Sequence, residues 1–271
     1  MKDSTHYPFC IEKSYVCNKT KGMRTHHYHD NFEIYYLESG ICNYFLDNKI
    51  YKLSDGDIIF IPRGVIHKTV YPKNEHNRIL INFTKDYINP VLAADLQYAF
   101  SKRVYRSPNA EKIKGILDKI YDEYTLASKL SNELIRCYMT ELFAYIIRNP
   151  SLKGSISDNG SGSAIIEDAT EYISKNFKED ISLGKLAQRA GYCESYFSKL
   201  FKSKTGFGCK EYILTVRIRA AKMLLASTRL SVSDIAYKCG FGDSNYFSTI
   251  FKKTEGMSPL KYRAFYLKEK N

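Results

Sequence analysis

The sequence lacks the features that mark secreted, disulfide-stabilised or membrane-spanning proteins. The first thirty residues hold no apolar run, so we expect no signal peptide, and no window approaches the roughly 18 uninterrupted apolar residues of a membrane span. The seven cysteines are odd in number and none forms a C-x-x-C pair, which argues against a disulfide framework or a cysteine zinc site. We therefore expect a cytoplasmic protein with no membrane-spanning segment.

Sequence motifs of several enzyme classes are also missing. The chain has no Ser-His-Asp nucleophile elbow, no P-loop and no G-x-G-x-x-G fingerprint. Its 271 residues suffice for two domains, each with its own core. The sequence therefore predicts two domains and carries no motif of these enzyme classes.

Positive charge is concentrated in the C-terminal part of the chain. Lys and Arg outnumber Asp and Glu by 19 to 11 over residues 165–271, against 22 to 18 over residues 1–164. A basic terminal domain favours a polyanionic partner, either nucleic acid or an anionic membrane surface. The remaining alternative is a solvated basic face with no partner.

Composition divides the chain into segments. Residues 149–164, NPSLKGSISDNGSGSA, are rich in Gly, Ser and Asn and predict a flexible linker. Residues 1–110 contain short runs rich in Ile, Tyr and Phe, which predict strands of an antiparallel sandwich or barrel. These runs are FEIYYLE, CNYFLDN, KIYKL, DIIFIP and RILINFT. Over residues 111–148 the apolar period becomes helical and predicts two helices that either pack on the β-domain or form a homodimer interface.

Residues 165–271 contain an internal repeat. FSKLFKSKTG at 197–206 has a near copy, FSTIFKKTEG, at 247–256. Each copy follows a short helical segment and a turn with glycine, which predicts helices over 183–190 and 194–204, and again over 232–239 and 244–254. This is the pattern of a helix-turn-helix, present twice.

The second helix of each copy has an apolar face and a polar face. Phe197 and Phe201, like Phe247 and Phe251, are predicted core residues. The opposite face carries small polar groups beside Lys, which suit a helix in a DNA major groove, although a similar face on an isolated helix would usually be solvated. The predicted DNA-binding residues are Ser195, Tyr196, Ser198, Lys199, Lys202, Arg217, Ser244, Asn245, Ser248, Thr249, Lys252 and Lys253.

Residues 231–263, SVSDIAYKCGFGDSNYFSTIFKKTEGMSPLKYR, resemble the signature of the AraC/XylS family of bacterial transcription regulators. The first copy and the connecting segment YILTVRIRAAKMLLAS, residues 212–227, are similar to that family as well. The resemblance implies two helix-turn-helix units joined by one long helix, with their second helices in adjacent major-groove segments. Cys193 departs from the Ser that often caps the first recognition helix, so we expect a weaker cap there.

The β-region resembles the small cupin barrel that many members of this family carry as a sensor. Its two motifs are His27-x-His29-x3-Glu33 and, in GDIIFIPRGVIH, the terminal His67. The resemblance implies that these four residues converge inside the barrel, and strand alternation places Tyr35 on the same face as Glu33. The set could hold Fe, Mn, Ni or Zn, or it could bind an organic ligand without metal. We predict the second arrangement, with no cofactor and a small polar effector such as a sugar.

The predicted fold is thus a multidomain α+β chain: a small cupin-like β-barrel with a helical pair, then an all-α domain with two helix-turn-helix units. The predicted function is ligand-responsive transcription regulation. The predicted partners are double-stranded DNA, an effector, a second copy of the chain and RNA polymerase. The alternatives are a metal-dependent cupin enzyme fused to a DNA-binding domain, and an architectural protein without effector.

Overall fold

Two antiparallel sheets form the N-terminal part of the chain in the computed structural model, which describes residues 8–16, 28–70, 75–152 and 160–268. The five-stranded sheet has the order β1-β7-β2-β5-β8, and the three-stranded sheet has the order β4-β3-β6. The strands are β1 (Phe9–Val16), β2 (Phe32–Ser39), β3 (Cys42–Leu46), β4 (Lys49–Leu53), β5 (Asp57–Ile61), β6 (His67–Val70), β7 (His76–Phe83) and β8 (Val104–Arg106).

The predicted closed barrel is wrong, because the strands form two open sheets and no ladder joins one sheet to the other within the described residues. The physical reason lies at the sheet edges, since the end strands β1 and β8 pair with neither β4 nor β6 among the described residues. Only two residues separate β2 from β3, and the chain crosses from the larger sheet to the smaller one at this turn. The apolar inner faces of the sheets share a core that includes Tyr35, Leu37, Tyr44 and Ile59.

The predicted helical pair packs on the β-domain, which is the first of the two alternatives that the sequence left open. Helices α2 (Ala110–Leu126) and α3 (Ser131–Arg148) bury Ile116 and Leu142 in one core with Ile34 and Ile81 of the larger sheet. Successive residues of β2 alternate between this core and the core between the sheets, as strand geometry requires. A role of the pair in dimerisation stays a prediction.

Several short elements were not predicted. They are β1, β6, β8, helix α1 (Ala93–Ala99) and three 3-10 turns at Lys85–Tyr87, Pro90–Leu92 and Phe100–Lys102. Polar residues interrupt the apolar pattern of β1 and α1, and the other elements, of three or four residues each, carry too little periodicity for assignment.

The C-terminal part is entirely helical over the described residues and forms its own compact unit, residues 159–271, apart from residues 1–158. Its helices are α4 (Ser161–Asn176), α5 (Leu183–Arg189), α6 (Glu194–Thr205), α7 (Cys209–Ser227), α8 (Val232–Lys238), α9 (Ser244–Glu255) and α10 (Pro259–Lys268). The predicted linker overlaps the first turn of α4, and residues 153–159 of it lie outside the described residues. No described helix is long and apolar enough to cross a membrane.

Candidate functional site

Three predicted site residues of the N-terminal unit meet in a buried cluster. His29 lies just before β2, Glu33 is the second residue of β2, and His67 is the first residue of β6. All three side chains are buried, and their ligand atoms lie within 4.8 Å of one another. The convergence spans the two sheets, since β2 and β6 belong to different sheets.

Backbone contacts hold the two motifs together. The amide of Gly64, in the turn before β6, donates to the carbonyl of His29 at 2.8 Å. The Arg63 guanidinium donates to the carbonyl of Asp30. The segment that carries His29 is therefore fixed to the turn that precedes His67.

Hydrogen bonds indicate that His29 carries a positive charge. Its Nε2 lies 2.9 Å from Glu33 Oε2 and its Nδ1 lies 2.8 Å from the carbonyl oxygen of Asn31. Both partners are acceptors, so both ring nitrogens must donate. Burial alone would lower the pKa of His29, but the hydrogen bond to Glu33 and its charge outweigh burial and raise that pKa above 6.5.

Glu33 is the charged centre of the cluster. Its Oε1 accepts a hydrogen bond of 3.0 Å from the Tyr44 hydroxyl. Burial favours the neutral acid, yet the imidazoles of His67 and His29 lower the pKa of Glu33 far below 4.5. The carboxylate is therefore ionised and accepts hydrogen bonds at both oxygens.

His67 leaves one ring nitrogen directed at the cluster. Its Nδ1 donates to the carbonyl oxygen of Val65 at 2.8 Å, and its Nε2 lies 3.8 Å from Glu33 Oε2. The ring stacks on Tyr44, with centroids 6.1 Å apart. Nε2 is therefore the ring nitrogen of His67 that a bound ligand can contact.

The donor set also has the composition of a metal site. Two imidazoles and a carboxylate suit Zn, Fe, Ni or Mn, and both imidazoles hold Nδ1 against a backbone carbonyl, as metal-ligating histidines commonly do. The chemistry of His29, Glu33 and His67 therefore fits a divalent transition metal, which would replace the proton shared by His29 and Glu33.

Two predicted effector residues remain. His27 lies outside the described residues. Tyr35 is fully buried on the inner face, with its ring 5.2 Å from that of Tyr44. Tyr44 contacts Glu33 directly but was not predicted. It lies two residues from both Cys42 and Leu46 on β3 and so shares their face, which would have identified it as inward-facing.

The two helix-turn-helix units are formed as the repeat predicts, and we call residues 183–205 the first head and residues 232–255 the second head. Phe197 and Phe201 are fully buried in the first head, and Phe247 and Phe251 in the second. The opposite faces of α6 and α9 are open. Every predicted DNA-binding residue on these two helices is exposed except Ser198, Ser244 and Ser248, which are half-buried.

Arg217 differs from the other predicted DNA-binding residues. Its Nε donates to the carbonyl of Phe177 and a terminal nitrogen to that of Glu179, both at 2.8 Å. Burial lowers the pKa of its guanidinium, which also lies 5.8 Å from the ring centroid of Phe241. In the free chain, Arg217 therefore joins α7 to the end of α4 and to the turn of the second head.

The two recognition helices are capped differently. Asp243 at the N-cap of α9 accepts a hydrogen bond of 2.5 Å from the amide of Tyr246. Cys193 at the N-cap of α6 has extended backbone but makes no side-chain cap bond. The weaker cap expected from the sequence is present.

We expect Cys193→Ser to stabilise the first head by about 1 kcal/mol, because a serine oxygen can accept from the free amides of the first turn. The backbone at Cys193, φ −72° and ψ 153°, already suits a cap. The measurement is urea unfolding of the full chain. Asp243→Ala, which removes the side-chain cap of α9, is the matched control. A variant no more stable than the parent would show that the first turn of α6 gains nothing from a cap.

Comparisons with known proteins match both parts of the chain. Residues 11–143 match the family model described as an AraC-like ligand binding domain, and residues 186–264 match that of a helix-turn-helix domain. Together these segments cover more than three quarters of the chain.

Individual proteins are similar over nearly the full length. The HTH-type transcriptional activator RhaR of Mannheimia succiniciproducens is 24% identical over 246 residues, which cover 90% of this chain and 88% of that protein. The Msm operon regulatory protein of Streptococcus mutans is 27% identical over 239 residues, covering 86% and 84%. The solved structure of ToxT from Vibrio cholerae is 17% identical with a TM-score of 0.39, covering 94% of this chain and 97% of that one.

Proposed function

The chain belongs to the AraC family of transcriptional regulators, with an N-terminal ligand-binding domain and a C-terminal DNA-binding domain, and from this premise we propose where each partner binds. A small polar molecule binds at His29, Glu33 and His67, and the exposed faces of α6 and α9 bind two segments of the DNA major groove. Ligand binding changes how the chain holds its operator. The observation that carries the proposal is the buried, ionised cluster centred on Glu33.

The chemistry of this cluster favours an organic ligand with hydroxyl groups. Glu33 already has a cationic partner in His29 and a neutral donor in Tyr44, so its charge is balanced without a metal. His67 Nε2 supplies a polar contact, and the buried aromatic rings of Tyr35 and Tyr44 supply apolar walls. This combination suits a sugar, whose hydroxyls need acceptors and whose C–H faces pack on aromatic rings.

The wider context follows from this assignment. We propose a regulator that works in the cytoplasm, as a homodimer, with RNA polymerase as a further partner and without catalytic activity of its own. The relatives named above are transcriptional regulators, and neither matched model describes an enzyme.

We expect the double variant Asn245→Ala and Thr249→Ala to relax base preference at one groove segment, since each good base contact contributes about 1–3 kcal/mol of discrimination. Both side chains are exposed on the open face of α9, where the Thr249 hydroxyl bonds only its own helix at the Asn245 carbonyl. The measurement is selection of operators from a random duplex pool by the full chain and by the variant.

Lys252→Ala is the matched control. It should weaken binding to all sequences alike and make the salt dependence shallower by about one unit of slope, from a value of roughly −4 to −8 for the parent chain. Unchanged base preference in the double variant would mean that a different face of α9 reads DNA. A parent slope near zero would remove the electrostatic argument for phosphate contacts.

A further inference from the structure

Exposed tyrosines mark the same place in both heads. Tyr196 on α6 and Tyr246 on α9 occupy equivalent positions of the repeat, and their exposed fractions are 51% and 52%. Tyr192, in the turn of the first head, is 37% exposed. Tyr212 and Tyr262 of the same unit are buried in the core. The three exposed rings are therefore not needed to fill the core.

The exposed rings of Tyr196 and Tyr246 each contact an aromatic residue of the turn before their helix. In the first head the rings of Tyr192 and Tyr196 are 4.8 Å apart. In the second head Tyr246 lies 6.3 Å from Phe241, which is buried and itself faces Arg217. A ring held in this way loses little conformational freedom when its hydroxyl meets a partner, as tyrosines in binding surfaces commonly do.

The position of these tyrosines on the helix identifies the partner. At 3.6 residues per turn, Tyr196 lies about 60° around α6 from Lys199, at the margin of the open face. The same spacing separates Tyr246 from Thr249. When a recognition helix enters the major groove, the middle of its open face meets base edges and its margins meet the phosphates that line the groove. Tyrosine hydroxyls are among the side-chain donors found on phosphate oxygens.

We propose that Tyr192 and Tyr246, together with Tyr196, donate their phenolic hydroxyls to DNA backbone phosphates. The turns and recognition helices of the two heads are then unequal; the exposed Tyr237 lies on α8, outside these segments. The first head holds its DNA segment with two hydroxyls, because Tyr192 stands where the second head has the buried Phe241. Tyr246 is the single tyrosine donor of the second head within the described turn and α9, and it was not among the residues predicted from the sequence.

The test uses the full chain with Tyr246→Phe, Tyr192→Phe and the pair combined, on a pool-selected operator and on random duplex of equal length. Each variant should bind both duplexes roughly three- to tenfold more weakly. The salt slope should stay unchanged, because a neutral hydroxyl releases no counterion. Tyr98→Phe, the same change at an exposed tyrosine of the N-terminal unit, should have no effect.

A single methylphosphonate placed at each operator position locates the contact. At the phosphate that Tyr246 contacts, the methylphosphonate should weaken binding of the parent chain. It should not weaken binding of Tyr246→Phe any further. Unchanged affinity in the Phe variants, or a loss confined to particular sequences, would overturn the proposal, the second because it would mean base contact. The inference rests on the assigned DNA-binding surface. If Asn245→Ala with Thr249→Ala keeps its base preference while Tyr246→Phe weakens every duplex, the base contacts are assigned wrongly and the phosphate contact stands.

Discussion

Gly240→Ala is expected to cost roughly 3–5 kcal/mol of unfolding free energy and to abolish operator binding. Gly240 has φ +82°, a left-handed conformation that penalises any side chain. An added Cβ would also lie 2.6 Å from the carbonyl oxygen of Phe177 and 3.0 Å from Lys178 Cα. Both obstacles are backbone atoms, so the turn of the second head must move. Urea unfolding and operator binding of the full chain measure the two effects.

Gly191→Ala provides a control at the equivalent position of the first head. Gly191 has φ +73°, but an added Cβ there meets nothing within 4 Å. Only the conformational penalty of about 1 kcal/mol should remain, and operator binding should survive. Equal losses in the two variants would show that the close approach at Gly240 contributes nothing.

The contrast between these glycines arises from the way the heads are joined. At Gly240 the second head touches the end of α4, and Arg217 of α7 donates to carbonyls in that same segment. Helix α7 is therefore fixed to α4 and to the second head at one point. Paired major-groove segments on one DNA face lie about 34 Å apart, so the two recognition helices must keep a fixed spacing to bind together.

Most helices of the C-terminal unit could be predicted from the sequence because each has a strong local signal. The helices predicted over 183–190 and 194–204 are observed as Leu183–Arg189 and Glu194–Thr205, and those of the second copy agree as closely. Phe at helical spacing and Gly in the left-handed turn specify such units without help from the rest of the fold.

Features that depend on distant parts of the chain could not be predicted. The role of Arg217 depends on carbonyls about forty positions away, and Tyr44 meets Glu33 only because β3 and β2 lie in facing sheets. The barrel expectation failed for the same reason, since closure depends on edge pairing that no local pattern encodes. Strand alternation did place Glu33 and Tyr35 on the inner face, because that property is local.

Glu33→Gln is expected to lower the unfolding free energy by roughly 3 kcal/mol near pH 6, since it leaves the buried His29 cation without its counterion. The raised pKa of His29 means that its contribution is complete below 6.5 and is lost as pH rises through the folded value. The lowered pKa of Glu33 means that its contribution is present above 4.5 and is lost in acid. The difference between parent and variant should therefore be largest between these values and shrink as the pH rises through the folded pKa of His29, as measured by urea unfolding.

The same variant tests the ligand assignment. A thermal-shift panel of neutral monosaccharides on the parent chain should yield a stabilising compound, because a ligand at a hundred times its Kd contributes about 2.7 kcal/mol. Glu33→Gln and His67→Gln should lose that shift and the response of an operator-linked reporter, while operator binding without ligand persists, since the C-terminal unit folds around its own core. Glu12→Gln, which changes a half-buried carboxylate on β1 outside the cluster, should keep both the thermal shift and the reporter response.

If both cluster variants respond fully, the cluster is not the effector site. If purified parent chain instead carries about one equivalent of transition metal that both variants lack, His29, Glu33 and His67 are metal ligands and the assignment to a metal-free sugar pocket is wrong.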